Sequence, residues 1–462
     1  MKEVELYRDI VNDYRKGSIT IDNEDYAAEL KITNTGIEIR FFDFNSKMTR
    51  DFSSLITLET AVFYGDGLYF RLLGMELSES SFRWLGQTNS FNDYTFSAKG
   101  LLYSRTNLNY IEHYQALSFY SNGISHWIGN TLKINKIIND SLVSKLPEQE
   151  DLVEFEREIE NVGTLGGYYS YKYGGLDGIH TVGMSVIPHV TLHFEKPVNL
   201  NGLLENYIDL YMMMRFLIGK QLDFTSVKIH LEKRSNNRDI NLYLPEKNNV
   251  GSNLHNGMSF SYSSGYHDYS ERDFPLHIFD NYFCIENKET NLLLKKFMNY
   301  SLIDSDEEKF LGFYRILERA TFKQSFYVDE NELSILLERA KGIFQKKFKD
   351  LSVSKFKRAI LRANKSRENT ETCIRYYIKS MPQEFVARLG LDKIKIDELC
   401  KVRNSMTHQP LFSVSVEKLH DCMVTAKLLV CIILMSRLGF SYNQIEEVAN
   451  LNGWKEGLSY LI

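Results

Sequence analysis

The chain has 462 residues, 43% hydrophobic and 13% aromatic, which gives room for packed cores in two or three domains. Only seven prolines argues against long disordered linkers, and five scattered cysteines without a C-x-x-C pair exclude a zinc-finger framework. The net charge of −5 is uneven: from Asn291 onward 28 basic residues face 21 acidic ones, and before it 27 face 39.

The first residues, MKEVELYRDIVNDYRKG, lack the apolar segment of a secretory signal. The longest apolar run, Leu428 to Met435, is eight residues and too short to span a bilayer. A cytoplasmic protein without membrane contact is expected, its cysteines (Cys284, Cys373, Cys400, Cys422 and Cys431) reduced and buried. The first 150 residues read as a β-rich domain. Ser18–Ile21, Glu29–Ile32, Gly36–Phe42, Leu55–Phe63, Leu68–Leu73 and Tyr94–Tyr103 alternate or run apolar, with turns such as Gly65-Asp66-Gly67 between them. His113–Trp127 is ambiguous, and the acidic Lys145–Asn161 reads as a linker or short helix.

Residues 151–288 read as an α+β sensor or regulatory domain, separate from 1–150 or one unit with it. Met184–Phe194, Val227–Glu232 and Ile240–Tyr243 are expected strands, and Leu200–Ile218 an amphipathic helix. Gly163–His180 (GTLGGYYSYKYGGLDGIH) has neither GK[ST] nor GxGxxG, and a mobile loop is expected there. The alternative is a ligand-sensing loop whose tyrosines stack on bases. His189 and His193, four apart on a strand, share one sheet face and read as a satisfied, half-buried pair rather than metal ligands. Asn248–Ser270 is serine- and glycine-rich and reads as an exposed loop.

From residue 289 to 462 the pattern turns helical. Asn291–Leu302, Ser305–Phe322, Glu330–Lys347, Ser352–Asn364, Asn369–Ser380, Asp392–Met406 and Val416–Leu438 are the expected helices. The fold class is thus α+β multidomain, a β-rich and α+β N-terminal region followed by an all-α bundle. Lys401–Pro410 (KVRNSMTHQP) closes the sixth helix. It places a permanently charged fork, Arg403, five residues before His408, the residue type that moves protons near neutral pH. Asn404 shares a helical face with His408, whereas Arg403 is turned about 140° from it. The two converge only if the helix end unwinds or a second copy joins the site.

This segment resembles the Arg-x4-6-His motif of HEPN domains, and the order of elements is most similar to ApeA-type HEPN proteins. The resemblance extends over roughly Asn291–Ile462, including FLGFYRILERA (Phe310–Ala320). It implies a metal-independent endoribonuclease with no cofactor, acting in antiphage defence by abortive infection. The RNA 2′-hydroxyl would attack the adjacent phosphate, with His408 as general base or acid, Arg403 on the phosphate and Asn404 orienting either. Glu318 is a supporting carboxylate, or else a surface partner of Arg315 one turn earlier. For Arg403 the bland reading is a pair with Asp397 or Glu398, and for His408 a helix cap. Lys355, Lys357, Arg358, Arg362 and Lys401 are candidate RNA contacts on a basic helical region. The implied partners are RNA (tRNA among the candidates), a second copy in a C2 homodimer through the helical domain, and a phage-derived trigger sensed by the N-terminal region. Two alternatives stay open: a non-catalytic HEPN nucleic-acid-binding adaptor, and the toxin of a toxin–antitoxin pair.

Overall fold

The computed structural model describes residues 7–21, 24–44, 57–85, 89–128, 131–142, 145–175, 182–231, 240–245, 274–284, 287–347, 352–408 and 414–461. Two compact units divide the chain, Met1–Lys288 and Glu289–Ile462. The expected loop Asn248–Ser270 lies outside the described residues.

The first unit is built on antiparallel pairing. After a short helix α1 (Tyr7–Ile10) come β1 (Asp13–Ile21), β2 (Glu24–Ile32), β3 (Ile37–Asp43), β4 (Thr57–Gly65), β5 (Leu68–Leu85) and β6 (Asn89–Ser104). These pair in the order β3-β2-β1-β4-β5-β6, and β3 also pairs with β6, from Ile37↔Ala98 to Asp43↔Asn92, closing a six-stranded barrel. Alternation fills its interior: Ile37, Ile39 and Phe41 of β3 are buried while Glu38 is exposed. Phe41 stacks on Phe96 at 5.7 Å and Phe70 on Tyr103 at 6.1 Å, within a core otherwise filled mainly by Ile, Leu and Ala.

Strand β6 outruns the barrel. Its end, Leu101–Tyr103, pairs with β12 (Ile240–Tyr243) and leads into an open sheet. The other members are β7 (Tyr114–Ser121), β8 (Val153–Ile159), β9 (Gly163–Gly175), β10 (Val182–Val198) and β11 (Phe224–His230), in the order β12-β11-β7-β10-β9-β8. Helices α2 (Asn122–Ile128), α3 (Leu132–Leu142), α4 (Leu200–Ile218) and α5 (His277–Phe283) complete the unit. Helix α4 is capped by the Asn199 side chain, which accepts from Gly202 N. Its Tyr207 meets Phe119 of β7 edge-on at 5.3 Å, which fixes the apolar face of the open sheet. One sheet therefore runs through both N-terminal segments read from sequence, 1–150 and 151–288.

Two expectations are corrected here. Lys145–Asn161 holds a strand that the reading as linker or short helix did not include: Glu150–Leu152 is a short helical turn, but Val153–Ile159 forms β8. Gly163–Gly175 is a strand paired on both edges, not a loop. Its glycines answer crowding rather than mobility: a Cβ at Gly167 would sit 2.4 Å from the Phe155 ring.

The second unit comprises α6 (Lys288–Ser301), α7 (Asp306–Ala320), β13 (Gln324–Phe326), α8 (Glu330–Lys347), α9 (Val353–Ala363), β14 (Lys365–Arg367), α10 (Thr370–Ser380), α11 (Gln383–Leu389), α12 (Ile396–His408), α13 (Val416–Leu438), α14 (Tyr442–Leu451) and α15 (Trp454–Ser459). It is not all-α. β13 and β14 pair at the base of the α8/α9 hairpin, where the buried Asn364 donates to Val328 O at 2.9 Å and accepts from Val328 N at 3.0 Å.

Helix α13 is the axis of this unit. Every residue from Cys422 to Met435 is buried, and α7 packs along it. Among the described residues it is the one helix long and apolar enough to cross a membrane, yet 83% of its most apolar window is buried inside the bundle. That burial makes it core. Gly439 in the left-handed region ends it, and its N–H reaches back to Met435 O and Ser436 O. Three cysteines, Cys373, Cys422 and Cys431, are buried as expected, but Cys284 is exposed.

Truncation of Leu434, which is fully buried, to alanine is expected to destabilise the helical unit by about 2–5 kcal/mol. Faster hydrogen exchange in α13 peptides would report it. Val416→Ala, 80% exposed on the same helix, is expected to change stability by less than about 0.5 kcal/mol.

Candidate active site

Helix α12 is anchored by Ile396, Leu399 and Val402, all buried, and its polar flank carries Arg403 and Asn404. The helix runs unbroken to His408, so its end does not unwind between the two motif residues. Arg403 and His408 are therefore separated by about 140° around one axis and about 7.5 Å along it. Asn404 and His408, four residues apart, lie on one face. The His408 imidazole, Gln409 and Pro410 are outside the described residues.

Arg403 does not pair with Asp397 or Glu398. Those carboxylates engage Lys401 at 2.9 and 3.7 Å, and Glu398 also engages Lys418. Hydrogen bonding from Lys401 holds the Asp397 carboxyl below its ordinary range, and Lys418 does the same for Glu398. Arg403 turns instead toward α7. Its Nη2 lies 3.9 Å from Glu318 Oε1, its guanidinium lies 5.7 Å from the Tyr314 ring centroid, and its Nη1 donates to Asn404 Oδ1 at 3.0 Å. Glu318 is thus oriented by Arg403, and by Thr370 of α10, whose hydroxyl donates to Glu318 Oε1 at 3.1 Å.

Tyr314 lies one turn before Glu318 and donates to Cys400 Sγ at 3.3 Å. Burial, then the bond to Cys400, pushes the Tyr314 hydroxyl well above the usual phenol range. Burial also raises the Cys400 thiol. Both groups stay protonated near neutral pH and support the arginine without supplying a nucleophile. Thr407 Oγ donates back to Arg403 O at 3.0 Å, which ties down the last turn of α12.

The remaining candidates separate into two places. Lys401 is on α12, held by its two carboxylates. Lys355, Lys357, Arg358 and Arg362 lie on α9, which packs against α8 through Phe356 on Phe344 at 5.3 Å. Lys357 bonds Glu338 at 2.9 Å and Arg358 Nε donates to Ser354 O at 3.3 Å. Sequence reading missed Tyr314, Thr370 and Cys400. The four-residue spacing of Tyr314 and Glu318 was the available signal for the first, and nothing local marks Thr370. Among the described residues no group of three His, Cys, Asp or Glu is placed to hold a metal ion.

A closed β-barrel continuous with an open antiparallel sheet, followed by a helical unit, defines an α+β multidomain protein. Residues 15–309 match the family model of ApeA N-terminal domain 1, and the chain belongs to that family. The match spans the large sheet except the first two residues of β1 and reaches the first turn of α7, leaving α12 beyond it. No curated protein and no solved structure matches the chain.

Because the Arg403–Glu318 pair is partly solvated, Glu318→Gln is expected to change unfolding free energy by less than about 1 kcal/mol. Thermal melting of the purified chain tests this. A much larger loss would give Glu318 a structural role rather than one in orienting Arg403.

Proposed function

We propose that the helical unit is a HEPN-type, metal-independent endoribonuclease that cleaves RNA by transesterification. The observation that carries the reading is the setting of Arg403: a carboxylate, an aromatic face and an amide orient a guanidinium on the same helix that ends in His408. Such a fork binds a phosphate in two-point fashion and stabilises charge growing on its non-bridging oxygens. The imidazole of His408 removes the proton from the 2′-hydroxyl or returns one to the departing 5′-oxygen. The P–O5′ bond breaks as the O2′–P bond forms, leaving a 2′,3′-cyclic phosphate and a 5′-hydroxyl. DNA lacks the internal nucleophile and is not a substrate.

The continuous helix supports a site assembled from two copies, with Arg403 of one protomer and His408 of the other facing a shared groove in a C2 dimer. Helix α13 is committed to its own core, so the dimer uses other surfaces of the helical unit. Family membership supports a role in antiphage defence, in which RNA cleavage arrests the infected cell and the N-terminal unit responds to a trigger.

In EDTA, wild type is expected to cleave total RNA or tRNA to cyclic-phosphate ends, and Arg403→Ala or His408→Ala to lose about 100-fold or more. Asn404→Ala is expected to lose less. Retention of full activity by both single variants sinks the nuclease assignment.

Mixing the Arg403→Ala and His408→Ala proteins tests the shared site. A mixed dimer keeps one groove with both groups intact, so activity is expected to return. A site contained within one protomer gives no recovery.

A further inference from the structure

Two features singled out in the sequence, the Gly/Tyr-rich segment and the histidine pair, remain outside the nuclease reading. The fold brings them together. On the face of the open sheet opposite α4, β7, β8, β9, β10 and β11 surround a cavity of about 430 Å³. Phe119 points to α4, so Ser118 and Tyr120 point the other way, joined by His189, Thr191 and His193 of β10 and His230 of β11.

Four rings form a connected aromatic series there. Tyr120 stacks on His189 at 4.6 Å and 14°, His189 is 5.9 Å from Tyr168, and Tyr168 meets His193 edge-on at 6.0 Å. Gly166 makes this possible, since a Cβ there would lie 2.4 Å from the Tyr168 ring. Between the rings lie hydroxyls in mutual contact, Ser118 Oγ being 2.7 Å from Thr191 Oγ and 2.8 Å from His230 Nε2. A plain solvated sheet face does not bury its polar groups, yet Ser118, Thr191 and His189 are 1%, 3% and 9% exposed.

The charge around the cavity is close to balanced. Lys228 sits over the Tyr120 ring at 5.3 Å and Glu156 accepts from the Tyr168 hydroxyl at 2.9 Å. Burial lowers His189 to about 4 and also lowers His193, so both imidazoles are neutral near pH 7, each with one donor and one acceptor. Aromatic faces, paired donor–acceptor edges and no net charge match a heteroaromatic ring better than a bare anion. The volume suits a ligand the size of a nucleoside.

We propose that this cavity binds a nucleoside or nucleoside monophosphate, recognised by its base stacking on one of Tyr168 and His193, meeting the other edge-on, and hydrogen-bonding to the surrounding hydroxyls and imidazoles. The test is calorimetric titration of the full chain with adenosine, guanosine, cytidine, uridine and their 5′-monophosphates, with inorganic phosphate and glucose as controls. At least one nucleoside or monophosphate is expected to bind saturably, and Tyr168→Ala or the exposed His193→Ala to weaken it about ten-fold or more. Tyr168→Phe keeps the ring and is expected to stay within about three-fold, with melting temperatures confirming that each variant is folded. The proposal is overturned if nothing in the panel saturates by about 5 mM, if phosphate or glucose binds equally well, or if binding ignores both alanine variants.

Discussion

Unbroken helical hydrogen bonding from Ile396 to His408 is the constraint on which the functional reading turns. Five residues along an α-helix amount to one turn and about 140° more, so backbone positions 403 and 408 lie on different sides of the helix. No rotamer of a single copy removes that angle, because it is set by the backbone. The helix must remain intact for Arg403 to be held, since its own carbonyl accepts from Thr407 in the last turn. Rigidity and separation therefore come as a pair. Under the proposed reading, symmetry offers a solution: a two-fold axis beside α12 would bring position 403 of one copy near position 408 of the other without bending either helix.

The rest of the helical unit positions α7 beside α12. Burial of α13 along most of its length gives α7 a fixed partner, and Arg437 Nη2 donates to Ala320 O at 2.7 Å at the end of α7. At the other end Ser305 accepts from Glu308 N, with Asp306, Glu307 and Glu308 meeting the positive end of the helix dipole. With both ends fixed, Tyr314 and Glu318 are presented on the side that faces Arg403. Each fully buried aliphatic side chain of α13 contributes about 1.5–3 kcal/mol, while the Arg403–Glu318 pair contributes little. Packing thus supplies the stability, and the polar contacts supply the aim.

How much of this was legible follows from period and length. Helices α4, α8 and α13 and strand β12 coincide with segments whose apolar spacing stands out. Helix α11, seven residues between Pro382 and Gly390, is too short to show a period. Helix α14 was missed although its capping box, Ser441 with Gln444, is a local signal. Strand β9 misled because glycine reads as flexibility in one dimension, while its cause was a neighbouring ring in three. The motif residues were visible; what holds Arg403 was half visible. Glu318 was readable as a candidate, but its choice of Arg403 over Arg315 depends on how α7 meets α12. Thr370 lies 52 residues from Glu318, and no spacing rule spans that distance.

The charge of the helical unit adds a last distinction. The surplus of basic residues from Asn291 onward is not concentrated at α12, where Asp397 and Glu398 offset Lys401. It is displayed on α9, where Lys355, Arg358 and Arg362 form no ion pair among the described residues. A polyanion is drawn by unpaired charge over a Debye length of about 10 Å or less in physiological salt. Under the proposed nuclease reading, capture would belong to α9 and chemistry to α12. A side chain that must steady a phosphate at one scissile bond gains from being oriented, as Arg403 is, whereas one that gathers RNA of any sequence gains from reach and solvation. On that reading, the most basic stretch of the sequence and its most chemically suggestive stretch would lie in different helices for this reason.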